Sequence, residues 1–261
     1  MSVQLSRTRR RRRGPGPDPS PGAQDLIRVS GGLTAAGLDL TIAVIAKECL
    51  PGKVKTRLTP PLTAGEAARL AQVSLTQTLR TVRDLPVSRR LLVIDGTPLP
   101  ADAAGFEIHP QAEGGLDERL AAVCAPTNAP LLILGMDTPQ LVPALLRPLL
   151  EDWSRPKPRF GAWLGLAHDG GFWALALRQP EGNLIRGVPM STADTGSAQG
   201  ARLEQAGLAV GLLPALTDVD TFAAATEVAL ECPGTPFART VRDLAGFRPP
   251  SGFGSAREVS K

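Results

Sequence analysis

Tyrosine is absent from this 261-residue sequence, so no phenol can act as nucleophile or general acid. Histidine occurs only as His109 and His168, too few for most His-based metal sites. The cysteines Cys49, Cys124 and Cys232 are odd in number and share no CxxC spacing. That pattern excludes a disulfide framework and a zinc site, and it points to a reducing, cytoplasmic setting. Neither GxGxxG nor GxxxxGK[ST] occurs, which argues against a dinucleotide dehydrogenase and a P-loop kinase. No Ser or Cys sits in an elbow motif, so His168 beside Asp169 does not read as part of a nucleophilic triad. No uninterrupted apolar stretch approaches the ~18 residues of a membrane-spanning helix.

Lysine is also scarce. There are five, and three of them, Lys47, Lys53 and Lys55, fall within nine residues, whereas the rest of the chain prefers arginine. The net charge of +4 is unevenly placed, because Arg7 and the run from Arg9 to Arg13 stand in the first 24 residues with one acid, Asp18. Without that segment the chain is close to neutral. The basic balance therefore belongs to the tail and does not argue for a nucleic-acid surface on the domain.

Residues 1–37, with the Arg run followed by Pro, Gly and Ser, are expected to be a disordered tail, since they cannot bury enough apolar surface to offset chain entropy. No long apolar core follows the arginines, so a secretory signal is not expected. Order should begin at LTIAVIA, residues 40–46, a buried first strand. Thr63 and Glu66 fit a capping box that opens a helix reaching about Asp84. Further strands are expected at 91–95, 107–109 and 131–135, helices at 117–124 and 139–153, and two strands, 161–166 and 172–177, around the turn His168-Asp169-Gly170-Gly171. A helix over 195–206, a strand over 208–213 and a helix from about Thr221 complete the pattern. The expected domain spans 38–232, and the Pro- and Gly-rich stretch 233–261 reads as a partly irregular extension. The alternation predicts an α/β fold with a mostly parallel sheet covered on both faces and a mixed second half. Ligands of such sheets bind beyond the carboxyl ends of the strands.

Five motifs follow strands. Pro51-Gly52-Lys53-Val54-Lys55-Thr56-Arg57-Leu58, with Lys47 just before it, places compact ammonium groups where they suit nucleotide phosphates, and Gly52 permits close backbone approach; the alternative is a solvated basic loop. Asp137 in Gly135-Met136-Asp137-Thr138-Pro139 ends the most apolar strand, where it could hold a divalent cation on diphosphate oxygens or cap the next helix. Asp169-Gly170-Gly171-Phe172 allows a tight turn against a ligand, or marks an ordinary hairpin. Asp218 and Asp220 point the same way on an extended chain, and Asp220 could instead cap a helix. Arg119, after Gly114-Gly115, could reach a phosphate or pair with a nearby acid.

Together PGKVKTRL (51–58), GMDTP (135–139), DGGF (169–172), PMST (189–192) and DVDT (218–221) resemble a bacterial family of glycosyltransferase-A-like proteins, known as a domain of unknown function or as arsenosugar-biosynthesis-type glycosyltransferases. The resemblance covers residues 40–230. It implies a single GT-A-like domain, related to the nucleotidyltransferases of cofactor biosynthesis, with a nucleotide-sugar donor and a divalent metal, Mg2+ or Mn2+. It implies that Lys53, Lys55 and Arg57 meet the phosphates, that Asp137 takes the metal, and that Asp169 or Asp220 completes the site. The sequence departs from the family at Phe172, where Tyr is usual, and at Met190, where Trp is usual.

The reading favoured by the sequence is sugar transfer from a nucleotide-sugar to a small or lipid acceptor, with Asp137 and Asp220 on the metal and Asp169 as the base that deprotonates the acceptor hydroxyl. A nucleotidylyltransferase acting on a small phosphorylated acid, identified by pyrophosphate release, is the alternative. A non-catalytic nucleotide-binding domain would bind donor without turnover.

Overall fold

The structure is a computed structural model, and it describes residues 38–246; the expected tail 1–37 and the last stretch, 247–261, lie outside the described residues. In chain order the elements are β1 (Leu38–Lys47), α1 (Ala64–Asp84), β2 (Val87–Asp95), α2 (Pro100–Ala103), β3 (Glu107–Pro110), α3 (Leu116–Ala122), β4 (Leu131–Leu134), α4 (Pro143–Trp153), β5 (Ala162–Ala167), β6 (Phe172–Leu177), α5 (Thr195–Gln205), β7 (Val210–Leu216), α6 (Phe222–Glu231) and α7 (Pro236–Gly246). The strands form one sheet in the order β3-β2-β1-β4-β6-β5-β7. β6 alone runs antiparallel to its neighbours, β4 and β5. The other pairings are parallel. The carboxyl ends of six strands and the amino end of β6 therefore share one edge. This is the mixed, mostly parallel α/β sheet that the sequence predicts.

The inner strands are apolar on both faces because helices cover both. Leu40, Ile42 and Val44 of β1 join Leu75, Leu79 and Val82 of α1 and Leu146 and Leu149 of α4 on one side. Ala43 of β1, Leu91 and Val93 of β2, and Leu131 and Ile133 of β4 join Leu120 of α3 and Leu203 of α5 on the other. The period of two along each strand divides the residues between these two cores. Both halves of the expected capping box form at the start of α1: Thr63 Oγ1 accepts from Glu66 N at 3.3 Å, and Thr63 N donates to Glu66 Oε2 at 2.7 Å. Such a cap is worth about 1 kcal/mol.

A third apolar cluster lies beside α1 and fixes the loops of interest. It holds Leu58 and Leu62 from the loop after β1, Val219 from the loop after β7, Ala225 and Val228 of α6, and Phe237, Val241 and Leu244 of α7. The last of these, α7, is a helix within 233–261 that the expectation of a partly irregular extension did not specify. Gly234, at φ +81°, and Pro236 mark the start of a helix and not a loop. Pro at the first helical turn loses no hydrogen bond, and Thr235 Oγ1 accepts from Ala238 N at 3.2 Å. Phe237, Val241 and Leu244 recur at the helical spacing that buries one face. Among the described residues no helix is long and apolar enough to cross a membrane.

Candidate active site

The loop after β1 is pinned at two apolar points, Val54 and Leu58, which are 7% and 0% exposed. Between them Lys55 adopts the left-handed conformation, φ 50° and ψ 42°, and caps a 3-10 turn over Thr56–Leu58. Non-glycine residues adopt this conformation at a cost, so the surrounding packing must impose it. The consequence is direction. The Lys55 side chain turns inward, 9% exposed, and its ammonium stands 2.9 Å from Asp137 Oδ2 and 2.7 Å from Asp220 Oδ1. Burial alone would lower its pKa, but Asp137 and Asp220 outweigh burial and raise it, so the ammonium stays charged. Arg57 is solvent-exposed and reaches Asp220 Oδ2 at 3.5 Å. Gly52 (φ +75°) and Lys53 are exposed, and a Cβ at Gly52 would meet nothing within 4 Å.

Asp137 is carried by a backbone held from four sides. Gly135 N donates to Trp173 O at 3.1 Å, and Val219 N donates to Asp137 O at 3.0 Å. Ser74 Oγ of α1 donates to Met136 O at 2.8 Å, and Gln140 Nε2 donates to Thr217 O at 2.8 Å. These bonds tie the exits of β4 and β7 to each other. Neither acid serves as a helix cap. α4 begins after Val142, far beyond Asp137, and α6 is capped by Thr221, whose Oγ1 accepts from Ala224 N at 3.1 Å.

Two carboxylate oxygens here, Asp137 Oδ1 and Asp218 Oδ1, are buried without a hydrogen-bond partner among the described residues. Burial, with Asp137 and Asp169 adding their charge, pushes the Asp218 pKa up to about 7. Asp220 moves the other way, because Lys55 and Arg57 outweigh its burial. The DxD spacing pointed to both acids, but the sequence favoured Asp220. Which of the two is paired and which is bare depends on the loop after β1, some 160 residues away in sequence.

Asp169 lies in the turn between β5 and β6. It is exposed, and its Oδ1 accepts from Gly171 N at 2.9 Å. Gly170, at φ +90°, lies so close to the Ala193 carbonyl that any Cβ would collide with it, and Gly196 N donates to Gly170 O at 2.8 Å. The two glycines of the turn thus dock it onto the 191–194 loop and the start of α5, where Ser191 is the second non-glycine residue with positive φ. His168 Nδ1 lies 2.9 Å from Thr217 Oγ1, which links the exits of β5 and β7.

Arg119 is not brought to the acids. Its guanidinium donates to Gly114 O at 3.0 Å and to Gln111 Oε1 at 3.4 Å, and lies 3.9 Å from Asp95, all on the β2–β3 side. Lys47 is exposed at the end of β1, and its N–H donates to Met136 Sδ at 3.3 Å. One feature escaped the sequence reading. Asp117 Oδ2 accepts from Gly187 N at 2.9 Å, and Glu118 pairs with Arg186 at 2.8 Å, which straps the start of α3 to the segment before α5. Both pairings join residues about 70 apart, beyond the reach of local pattern.

Among the described residues no three His, Cys, Asp or Glu side chains are arranged as a ready-made metal cage. The acids nevertheless fit a hard cation. Mg2+ is commonly bound through one or two carboxylates together with substrate phosphates, and the bare oxygens of Asp137 and Asp218 are of that kind.

Comparison with known proteins agrees with this architecture. The family model described as "Uncharacterized protein conserved in bacteria (DUF2064)" matches residues 78–192, which include GMDTP, DGGF and PMST, while PGKVKTRL and DVDT lie on either side. The structure is similar to that of a Desulfovibrio desulfuricans G20 protein provisionally named a nucleotide-diphospho-sugar transferase, with a TM-score of 0.70 and 20% identity over 79% of this chain and 95% of that one. A cytidylyltransferase from Leptospira borgpetersenii is similar with a TM-score of 0.47 and 10% identity, over 80% of this chain and 94% of that one. The 2-C-methyl-D-erythritol 4-phosphate cytidylyltransferase of Thermus thermophilus is similar with a TM-score of 0.40 and 16% identity, over 80% and 99%. A search of curated proteins found no match. The chain thus shares the overall α/β fold of the Desulfovibrio protein.

Proposed function

We propose that this protein is a nucleotide-dependent transferase that moves a sugar from a nucleotide-diphosphate sugar to an acceptor hydroxyl on a small or lipid molecule. One observation carries the reading. Three strand exits converge so that the Lys55 ammonium lies between Asp137 and Asp220, beside two buried carboxylate oxygens that have no partner. Unpaired buried charge is costly, and an anionic cluster that a fold maintains at the ligand-binding edge of its sheet is best explained by a cation that arrives with substrate. The name given to the Desulfovibrio protein of the same fold supports the donor class.

In this reading Asp137, with Asp220 and Asp218, would hold Mg2+ or Mn2+, which supplies charge neutralisation at the leaving diphosphate. Lys53 and Arg57, both exposed on the loop after β1, meet the phosphates, and Gly52 lets the backbone approach them. Asp169 has one oxygen tied to its own turn; the other can accept the acceptor's proton. Arg119 has no assigned role. A thermal-shift and calorimetric screen of nucleotides and nucleotide-sugars, each with and without Mg2+ or Mn2+, tests the proposal. Ligand at ~100 times its dissociation constant stabilises by about 2.7 kcal/mol. If no nucleotide or nucleotide-sugar stabilises the protein under any metal condition, the reading fails.

Nucleotidyl transfer from a nucleoside triphosphate is the second reading. The two exposed cations of the loop after β1, Lys53 and Arg57, favour it, since they could carry a third phosphate. Pyrophosphate release on addition of a triphosphate and a phosphorylated acid would replace the first reading with this one.

A further inference from the structure

The lysine that sequence reasoning sends to the phosphates is, in this structure, buried among acids. Lys55 is 9% exposed at its side chain, with its ammonium 2.9 Å from Asp137 Oδ2 and 2.7 Å from Asp220 Oδ1. Its neighbours in the same loop, Lys53 and Arg57, are exposed. The inward turn is built into the backbone, through the left-handed conformation at Lys55 between the buried anchors Val54 and Leu58. Two acids reached from two other strands are thus bridged by one point charge of the protein's own. Ammonium is compact and sits on a flexible four-carbon stem, so it can leave by side-chain rotation while the loop stays in place.

We propose that the Lys55 ammonium is an internal stand-in for the divalent cation, so that cation and nucleotide diphosphate bind only together. A cation held by Asp137 and Asp220 would face the Lys55 charge across the same oxygens, and like charges so placed repel strongly in a partly buried site. The free protein therefore keeps cations out. A diphosphate offers Lys55 new acceptors of opposite charge, the ammonium moves to them, and the oxygens it vacates take the cation. In the free protein Asp137 Oδ1 and Asp218 Oδ1 are buried without a hydrogen-bond partner among the described residues, so they have no protein donor to give up when the cation enters. This coupling would stop the site from filling with metal in the absence of donor.

The inference rests on the metal-and-nucleotide reading of this site, and the test separates the two. Mn2+ binding to the full chain is measured by electron paramagnetic resonance and by the rise in melting temperature, without any nucleotide, for the wild type, Lys55→Met and Lys55→Gln. The methionine keeps the stem and removes the charge; the glutamine keeps hydrogen-bond donors and serves if the methionine variant does not fold, which circular dichroism decides. The expected result is weak Mn2+ binding by the wild type and binding at least roughly tenfold tighter by the folded variant, because a like charge has been removed from the site. Asp137→Asn added to that variant should abolish the gain. Equal Mn2+ affinity in wild type and variant overturns the proposal. The wild type is then measured with UDP and with GDP. Mn2+ binding that appears only with a nucleotide supports the coupling; Mn2+ binding that neither nucleotide improves overturns it. Where the wild type binds Mn2+ with a nucleotide but the variant gains nothing alone, the stand-in fails and the metal reading stands. Where no protein binds Mn2+ under any condition, the metal reading fails with it.

Discussion

Two aspartates with buried carboxylate oxygens, one where the chain turns from α4 into β5 and one where it leaves β7, show how differently the same side chain is used. Asp152 is 1% exposed. Its Oδ1 accepts from Arg159 N at 3.1 Å and Arg159 Nε at 3.4 Å, and its Oδ2 accepts from Phe160 N at 3.1 Å. Burial alone would raise its pKa, but these donors outweigh burial and hold it below the usual carboxylate range. Asp218 is half-buried as a residue, yet its Oδ1 is buried with no partner, and burial with neighbouring acids drives its pKa up. The first carboxylate is complete within the fold. The second keeps a buried oxygen that no described residue satisfies. Satisfied burial signifies architecture, and unsatisfied burial at the ligand edge of a sheet signifies a binding partner.

The sharpest test exchanges one charge at each place. Asp137→Asn nearly preserves shape. It should abolish metal-dependent nucleotide binding, a loss of about a hundredfold or more, while the melting temperature moves little. Calorimetry with nucleotide and Mn2+ beside a melting curve reads both. Asp152→Ala should do the reverse. It leaves the part-buried N–H groups of Arg159 and Phe160 without their acceptor, which costs about 1–3 kcal/mol of stability, and nucleotide affinity should not change. If Asp137→Asn mainly unfolds the protein, or Asp152→Ala mainly weakens the nucleotide, the contrast between the two acids is wrong.

Acid sharpens the same contrast. Because the folded Asp152 pKa lies below the unfolded value of about 3.9, its ionised form stabilises the fold at every pH above that value. The contribution disappears as the pH falls through the lower, folded pKa. Denaturant melts at pH 7 and pH 3 should therefore show the gap between wild type and Asp152→Asn narrowing in acid. A gap that widens in acid would show that Asp152 is not held ionised by its donors.

The strands and most helices were legible because their signals are local. The capping box of Thr63 and Glu66, the Thr221 start of α6 and the apolar run of β4 each lie within a few neighbouring residues. α7 was missed because Gly234 and Pro236 read as loop formers, while the face formed by Phe237, Val241 and Leu244 acquires meaning only when α1 and α6 are there to receive it. The placement of the candidate residues was legible, and their wiring less so. Asp137, Asp169, Asp220 and Lys55 come to one edge of the sheet, as their positions after strands implied. That Lys55 would face the acids and that Asp218 would be bare are outcomes of long-range packing, which no spacing rule encodes.

Gly170→Ala tests whether the acceptor side of the site is as rigidly built as the acid cluster. The new methyl would strike the Ala193 carbonyl, and the residue would be held at φ +90°. Side chains avoid that conformation, and the obstacle is backbone that cannot rotate away, so a loss of about 2 kcal/mol is expected. A variant that melts like the wild type would show that the turn is not docked on the 191–194 loop.

The smallest effect expected separates the exposed cations from the buried one. Lys53 and Arg57 stand in solvent on the loop after β1, and Arg57 touches Asp220 only at 3.5 Å, with 79% of its side chain exposed. Such contacts add little to stability. Replacing both with Ala should leave the melting temperature within a degree or so of the wild type, yet weaken nucleotide-diphosphate binding by roughly tenfold, about 1.4 kcal/mol. The loss should shrink as salt is raised, since exposed charges are screened beyond about 10 Å at 0.1 M ionic strength. A matched Lys47→Ala variant, at the end of β1, extends the test to the third lysine of the cluster. Unchanged affinity in the double variant at low salt would remove the loop from the phosphate site and leave Lys55 as the single residue of that loop that acts there.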